Sequence, residues 1–394
     1  MRSRTMAPTP AGLSRDELRG ASAAEGRDPD FALAFLPATA DLGRELETLA
    51  AAWPGCLRIG CESSAQLADG SSTTAGSVQA FWLDPPKGGR PPEVVALPGS
   101  FERPPTEAEI AAFASRLAES DGVLLLADGL RFPAERLLSD LGRRFAPSST
   151  LRIAGGLASA PAADPATPAD GPGARVFFDR EIFPSACLAL LLYGIDLEVE
   201  VVRGWDPASP IYTITRAEGT ILYEIEGQPA TDWYRRFFTV QGALLPLPEA
   251  SQGFPLIIVG PSSRRQGLYR SLRAFDRPAG AVTLWGEVET GDQVRMGMFG
   301  GGDGESLLAT LKAATGRMLA GGAPVEAAIL YSCVGRQCAL GERIGEEISA
   351  IHSALGGASL SGFFTLGEIG PSDATASAYF NHTAVLALLR ERSR

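Results

Sequence analysis

Residues 328–369 read AILYSCVGRQCALGERIGEEISAIHSALGGASLSGFFTLGEI and contain a complete strand–helix–strand unit. The short apolar run Ala328–Cys333 predicts a buried strand, and a second strand is predicted to begin at Ser359. Between them, the spacing predicts a helix over about Leu340–Leu355. Its apolar side carries residues at helical spacing, Ile344, Ile348, Ile351 and Leu355. The acidic residues Glu342, Glu346 and Glu347 are expected to lie mostly off that side.

The same unit occurs twice more in the first half of the chain. The first copy has an apolar run Phe31–Leu36, a predicted helix over about Asp41–Ala52 and a strand from Leu57. The second has Val123–Ala127, a helix over about Pro133–Phe145 and a strand from Leu151. Strands separated by one helix are typical of parallel pairing in layered α/β sheets. We therefore predict an α/β (mixed α+β) protein of two related halves, each with a layered sheet flanked by helices.

The predicted domain organisation follows from where these patterns begin and end. Residues 1–28 are polar and lack periodicity, so we expect a disordered tail. An N-terminal domain is predicted over 29–241 and a C-terminal domain over 254–394. The segment 242–253, rich in Gly and Pro, is predicted to link them.

Composition argues against several classes of function. The 394 residues carry a net charge of −11, which disfavours binding to nucleic acid or to membrane surfaces. The longest apolar stretch falls well short of the ~20 residues of a membrane helix, so no membrane insertion is expected. The start of the chain lacks the apolar core of a secretory signal, and five cysteines are too few for a disulfide framework. We expect a cytoplasmic protein.

The known catalytic motifs are missing from the sequence. It has no G-x-x-x-x-G-K-[ST], no G-x-G-x-x-G and no G-x-S-x-G, and its only histidines are His352 and His382. Cys333 and Cys338 share the spacing of a metal-binding pair, but two thiols alone do not predict a zinc site. We predict no catalytic residues, no metal and no cofactor.

Three residues near the C-terminus remain as candidates for chemistry. Cys333 ends a buried strand next to Gly335-Arg336, where a guanidinium and turn amides would lower its pKa; the alternative is an inert buried thiol. The roles of Arg336 and Glu368 can be interpreted in two ways. In the first, they bind the carboxylate and the amine of an amino-acid-like ligand. In the second, they form an ion pair with each other that joins two strands.

The C-terminal motifs resemble the signature of the FIST C domain. The matching runs are Ser332–Arg336, Gly362–Pro371 and Phe380–Leu386, with Gly341 and Glu346 or Glu347 between the first two. Upstream, Gly155–Ser159, Leu192–Gly194, Gly204-Trp205 and the stretch from Thr215 to Tyr234 resemble the FIST N domain. One run departs from the family's usual Gly-Cys-[ST]-[ST]-x-Gly-[EQ]: here Glu62 and Ala65 alter the run from Gly60 to Gln66.

The resemblance implies a sensory module of signal transduction. FIST proteins are proposed to sense small ligands such as amino acids and are often joined to kinase, cyclase or methyl-accepting domains; this chain resembles the stand-alone form. We predict that it binds a small molecule, with a signalling protein as a possible partner. The predicted ligand-binding residues, at or near the ends of the C-terminal strands, are Ser332, Cys333, Arg336, Phe363, Thr365, Glu368, Asn381 and Thr383.

Two alternatives come from other classes of function. The first is an enzyme that uses Cys333 as nucleophile and His382 as base. The second is a protein-interaction scaffold without a ligand. A further hypothesis concerns the repeat itself. Gly60-Cys61 and Gly362-Phe363 end equivalent strands, as if related halves faced each other across a shared cleft.

Overall fold

The computed structural model describes residues 1–9, 11–84, 90–145, 149–160, 174–240, 243–244, 253–260, 265–299, 304–322 and 324–392. Helices and strands are interspersed along the chain, and the predicted mixed α/β class is confirmed. The helices are α1 (Arg15–Glu25), α2 (Leu42–Ala52), α3 (Glu107–Leu117), α4 (Ala134–Arg144), α5 (Ala230–Phe237), α6 (Glu305–Leu319), α7 (Val334–Leu340) and α8 (Ile344–Ala354), with a 3-10 turn at Gly341–Arg343.

The strands fall into two runs along the chain. The first run is β1 (Arg2–Met6), β2 (Phe31–Pro37), β3 (Leu57–Ser63), β4 (Gln66–Ala68), β5 (Ser71–Thr73), β6 (Ser77–Trp82), β7 (Glu93–Pro98), β8 (Gly122–Ala127), β9 (Arg152–Leu157), β10 (Val176–Phe178), β11 (Glu181–Phe183) and β12 (Ala186–Leu192). The second run is β13 (Ile195–Val202), β14 (Trp205–Pro207), β15 (Tyr212–Glu218), β16 (Ile221–Ile225), β17 (Gln228–Pro229), β18 (Thr239–Val240), β19 (Ala243–Leu244), β20 (Leu256–Gly260), β21 (Tyr269–Arg270), β22 (Leu272–Asp276), β23 (Ala281–Leu284), β24 (Gln293–Phe299), β25 (Ala327–Cys333), β26 (Ser359–Thr365), β27 (Glu368–Gly370), β28 (Ala378–Phe380) and β29 (Ala384–Glu391).

All three strand–helix–strand units form as predicted. In each unit the two strands pair in parallel, β2 with β3, β8 with β9 and β25 with β26. Each pair lies inside its own six-stranded sheet. The strand orders are β1-β6-β2-β3-β10-β11, β28-β27-β9-β8-β12-β7 and β13-β29-β25-β26-β4-β5.

The three sheets share one apolar core. Phe35 and Cys61 from the first sheet, Leu126 from the second, and Tyr331 and Phe363 from the third belong to a single buried cluster. Helices cover the outer faces. Residues of α1 and α2 pack on the first sheet, those of α3 and α4 on the second, and those of α6 to α8 on the third. The two parts of the sequence therefore interlock, because β9 pairs with β27 and β4 with β26.

A glycine at the same position makes each parallel pair possible. A Cβ at Gly60, Gly155 or Gly362 would overlap the main-chain oxygen of its neighbour on the first strand, which is Ala34, Leu125 or Leu330 respectively. These residues are also the direct register partners of the glycines. Any side chain at these positions would push the two strands apart.

A separate antiparallel sheet is built from β14–β17 and β20–β24. Its core contains Trp233 and Tyr234 of α5 together with Ile258 and Val294. Polar contacts also join this sheet to the rest of the chain. Arg270 pairs with Glu135 of α4 at 2.6 Å, and both Arg270 and its neighbour Ser271 are buried.

The prediction that residues 1–28 form a disordered tail is wrong. Strand β1 pairs antiparallel with β6 over its whole length, and α1 buries Leu18 and Ala21. The indole N–H of Trp53 donates to the Leu18 carbonyl at 2.9 Å. Strand β1 lies at the edge of its sheet, and its residues Arg2 and Arg4 are exposed. Its composition is therefore polar and gives no apolar pattern.

The helix predicted over about 340–355 forms as the 3-10 turn and α8, whereas α7 before them was not predicted. Gly341, with φ +53, follows α7, and α8 begins at Ile344 after the 3-10 turn.

Most of the predicted linker 242–253 lies outside the described residues, so the domain boundary there stays a prediction. Among the described residues, no helix has the length and apolar character needed to cross a membrane.

The glycine contact predicts a large effect for a single methyl group. Gly155→Ala should lower the free energy of unfolding by about 2–3 kcal/mol, because the added Cβ overlaps the Leu125 carbonyl at the centre of a buried sheet. Gly316→Ala is the matched control. Gly316 lies in α6, where an added Cβ would meet no other atom, so alanine should stabilise by about 0.5–1 kcal/mol. Urea unfolding of both variants measures this; equal effects would contradict the packing argument.

Candidate functional site

The carboxyl ends of three strands, one from each unit, meet at a place that we call the strand-end junction. Ser159, just after β9, donates its main-chain N–H to the Glu62 carbonyl of β3 at 3.2 Å. Its hydroxyl donates to the Phe364 carbonyl of β26 and accepts from the Ser64 amide at 3.1 Å. The ends of the three strands therefore lie next to one another, but buried side chains such as Phe35 and Phe363 fill the space where the hypothesis placed a shared cleft.

Four of the predicted residues form one hydrogen-bonded group, the carboxylate cluster of Cys333, Thr365, Glu368 and Thr383. Glu368 accepts from the Thr383 main-chain N–H at 3.1 Å and from its hydroxyl at 2.8 Å. Its other oxygen accepts from the Thr365 hydroxyl. Burial raises the pKa of Glu368 from its usual 4.5 to about 7, and these hydrogen bonds oppose the rise.

Cys333 is a buried thiol, which agrees with the inert-thiol interpretation and not with a lowered pKa. Its side chain is 3% exposed, and burial raises its pKa well above the usual value, helped by the charge of Glu368. The main-chain N–H groups of Gly335 and His382 point at its sulfur at 3.4 and 3.1 Å, but they do not offset the burial. Cys338 is exposed, whereas Cys333 is not. In the part of the chain that is described, no group of three or more His, Cys, Asp or Glu is placed to hold a metal.

Arg336 does not pair with Glu368. Its guanidinium is fully buried and donates through Nη2 to Glu347 of α8 at 2.6 Å and to the Leu307 carbonyl of α6 at 3.3 Å. Glu347 is 2% exposed, so the expectation that it lies off the buried side of the helix is also wrong. The structure therefore separates the two charged residues that the sequence grouped together.

The pair is incompletely hydrogen-bonded. Arg336 Nε and Nη1 and Glu347 Oε1 are buried and have no hydrogen-bond partner among the residues that the structure describes. The Ser332 hydroxyl is also buried and unpartnered. Ser332 lies two residues after Leu330 on β25, so its side chain is on the face of the sheet that α6 and α8 cover. We call Ser332, Arg336 and Glu347 the guanidinium cluster.

The ring of His382 is hydrogen-bonded to Ser271 rather than to Cys333. Its Nε2 lies 2.7 Å from the Ser271 hydroxyl, and its ring packs edge-on against Trp205. Burial, with the charge of Arg336, lowers its pKa to about 3, so the imidazole is neutral at pH 7. Its main-chain N–H donates to the Cys333 sulfur. The residue has φ +57, an uncommon conformation for a residue other than glycine.

The other two predicted residues have separate surroundings. Phe363 belongs to the shared core, with its ring 4.8 Å from that of Phe35 and 5.7 Å from that of Tyr331. Asn381 donates to the Tyr379 hydroxyl at 3.1 Å, while its side-chain oxygen has no partner. Every one of the predicted residues is at most 3% exposed. A ligand bound among them would be enclosed by protein.

Sequence reasoning missed two partners, Glu347 as the partner of Arg336 and Ser271 as the partner of His382. Glu347 lies three residues after Ile344 and four before Ile351, which is the spacing of the buried side of the helix, so the pattern did contain a signal. Ser271 had none, because it lies in a different sheet, 111 residues from His382.

Cavities lie elsewhere on the surface of the protein. One of about 570 Å³ lies beside α3 and α4 and is lined by Arg136, Arg143 and Glu287 among others. Another, of about 620 Å³, is lined by residues of β13 and by Arg317 and Arg390. No predicted ligand-binding residue lines either of them.

Comparison with known proteins gives consistent matches along the chain. The model of the FIST N domain matches residues 30–228, and that of the FIST C domain matches residues 230–371. An uncharacterised protein of Mycobacterium tuberculosis is 29% identical over 338 residues, which cover 84% of this chain and 82% of the relative. An uncharacterised protein of Mycobacterium bovis is 28% identical over 393 residues, which cover 96% and 93%.

The raised pKa of Glu368 predicts a pH dependence of stability. Between the unfolded pKa of 4.5 and the folded value of about 7, the folded protein binds more protons at this residue, so its contribution to stability falls as the pH rises. Relative to Glu368→Gln, the wild-type protein should lose about 2–3 kcal/mol between pH 5 and pH 8. Other titrating groups are common to both proteins and cancel.

Urea unfolding at several pH values between 5 and 8 measures this difference. Glu346→Gln is the control, because Arg343 lowers the pKa of exposed Glu346. Its carboxylate therefore stays mostly ionised from pH 5 to pH 8, and this variant should keep the pH dependence of the wild type. A stability difference between wild type and Glu368→Gln that stays constant across the range would show that Glu368 titrates normally.

Proposed function

The chain belongs to the FIST family, whose domains are sensory domains of signal transduction, and from that premise we propose that it senses a small amino acid or carboxylate. The proposed binding site is the guanidinium cluster, next to the carboxylate cluster. On this proposal the protein acts in the cytoplasm and passes the signal to a protein partner.

The main support for the proposal is that several buried polar atoms of the guanidinium cluster have no hydrogen-bond partner among the described residues. A buried polar group without a partner costs about 1–3 kcal/mol, and a charged group costs more. Folded proteins therefore rarely leave such groups together, unless water or a bound molecule satisfies them. Here two nitrogens of Arg336, one oxygen of Glu347 and the Ser332 hydroxyl are all unpartnered.

The chemistry of these atoms suggests which groups a ligand would carry. The free N–H donors of Arg336 suit a carboxylate, because a guanidinium binds planar oxyanions well. The free oxygen of Glu347 suits an ammonium group, the role that the sequence had suggested for Glu368. The Ser332 hydroxyl either donates or accepts. An α-amino acid presents all of these groups within one small molecule.

Glu368 and its neighbours have a different role in this proposal. Its carboxylate is already surrounded by the donors of Thr365 and Thr383, so little capacity is left for a ligand. We propose that the carboxylate cluster fixes the ends of β25 and β26 and thereby positions the start of α7, which carries Arg336. Phe363 lies on the opposite face of the sheet, in the core that the three sheets share.

Enclosure of the site gives a physical basis for sensing. Because Arg336 lies between α6 and α8, a ligand reaches it only when these helices separate from β25. Binding to the closed form then stabilises that form by RT ln(1 + [L]/Kd), which is about 2.7 kcal/mol at 100 times Kd. The ligand thus shifts the balance between a closed and a more open arrangement of the C-terminal helices.

The test compares two serine variants in a thermal-shift screen against amino acids and small carboxylates. Ser332→Ala removes a hydroxyl with no partner, so the free protein should be as stable as wild type or slightly more stable. It should weaken binding of the active ligand about 5- to 10-fold. The proposal predicts a rise in melting temperature for one class of ligand in wild type and a smaller rise in this variant.

Ser361→Ala is the matched control on the next strand. Ser361 is equally buried, but its hydroxyl donates to Gln79 at 2.5 Å, so the variant should lose stability and keep its affinity. A ligand response that is the same in wild type and Ser332→Ala would move the site away from this cluster. The absence of any response to either class of ligand would contradict the proposed function.

A further inference from the structure

The repeated units give the strand-end positions of one unit counterparts in another. Gly155 pairs with Leu125 in the second unit as Gly362 pairs with Leu330 in the third. Counting three residues onward from these pairs, Asp128 corresponds to Cys333, and Ala158 corresponds to Thr365. The second unit therefore places a carboxylate where the third unit places a thiol.

Asp128 is fully buried, and only one of its oxygens is used. Oδ1 accepts from the main-chain N–H of Leu130 at 2.7 Å and of Arg131 at 2.9 Å, which holds the loop after β8. Oδ2 is buried, and no described residue forms a hydrogen bond with it. In the third unit, Thr365 supplies a hydroxyl to a neighbouring carboxylate, but its counterpart Ala158 has none to give.

Asp128 lies beside a second buried carboxylate whose charge is already matched. Burial raises the pKa of Asp128 to about 6, and the charge of fully buried Glu62 adds to the rise, while the charge of Arg131 opposes it. Arg175 matches the charge of Glu62, with Nε 2.8 Å and Nη2 2.5 Å from its two oxygens. Within the described part of the chain, no salt bridge joins Asp128 to a cation. A buried carboxylate oxygen of this kind favours a cation that can donate a hydrogen bond.

We propose that the ends of β3, β8 and β9 form a second ligand site, which binds a small organic ammonium group at Asp128 Oδ2. An ammonium group supplies both a positive charge in contact with this oxygen and the missing N–H donor. This site shares no residue with the guanidinium cluster and does not depend on what binds there.

The loop cap and the ammonium contact use different oxygens, so one substitution separates them. Asp128→Asn keeps an oxygen for the Leu130 and Arg131 amides and removes the charge and the second acceptor. Asp292→Asn is the control. Asp292 is also buried, at 2% exposure, but both of its oxygens have partners, from Arg265 and the Glu289 amide.

The experiment measures the melting temperature of the full chain with methylammonium, ethylammonium or ethanolamine chloride. Potassium chloride at equal concentration controls for ionic strength, and tetramethylammonium is a cation without N–H donors. We expect a rise of at least about 2 °C with a primary ammonium for wild type and Asp292→Asn, and no rise for Asp128→Asn. Potassium and tetramethylammonium should give no comparable rise.

Three results would overturn the second site. The first is a wild-type protein that does not respond to any of the three primary ammonium ions. The second is an equal response in Asp128→Asn. The third is an equal response of wild type to potassium or tetramethylammonium. An Asp128→Asn variant that melts higher than wild type, with neither protein responding to ammonium, would assign Asp128 to the loop alone.

Discussion

The close approach of two parallel strands at a glycine, repeated three times, is the constraint on which the rest of this structure depends. At Gly60, Gly155 and Gly362 the missing side chain leaves room for a main-chain oxygen of the neighbouring strand. This contact fixes the register of each pair. The register in turn decides which residues reach the strand-end junction and which helix covers them. The three sheets can then share one apolar core and bring their carboxyl ends together.

The buried polar groups near the strand-end junction differ in how completely they are hydrogen-bonded. Glu368 is surrounded by donors from residues close to it in sequence, and its cost is seen mainly as a raised pKa. Arg336 and Glu347 pair across two helices and leave atoms unsatisfied on both sides. A buried ion pair gains little net stability even when its geometry is good, because both charges lose their hydration. The proposed ligand site would explain an incomplete pair of this kind, and the sensory role of the family's domains is consistent with that proposal.

The sequence predicted the repeated units well because each has strong local signals: apolar strands, an amphipathic helix and glycines at fixed positions. All four members of the carboxylate cluster were among the predicted residues, because they lie at or near the ends of strands that the sequence identified. It failed where the deciding contact is distant or where the pattern is polar. Strand β1 looked like a tail because an edge strand needs few apolar residues. A pair of Arg336 and Glu368, one of the two interpretations, does not form because helix packing, not strand order, brings Glu347 to Arg336. For Cys333, burial decides between the two interpretations in favour of the inert thiol.

A crystal structure at about 1.2 Å of the full chain, grown with the ligand that gives the largest thermal shift, tests the central claim most directly. We predict electron density for that molecule within hydrogen-bond distance of Arg336 Nε or Nη1 and of Glu347 Oε1. We also predict that Glu368 keeps its bonds to Thr365 and Thr383. Density for water alone at these atoms, or for the ligand in a different place, would contradict the assignment of the site.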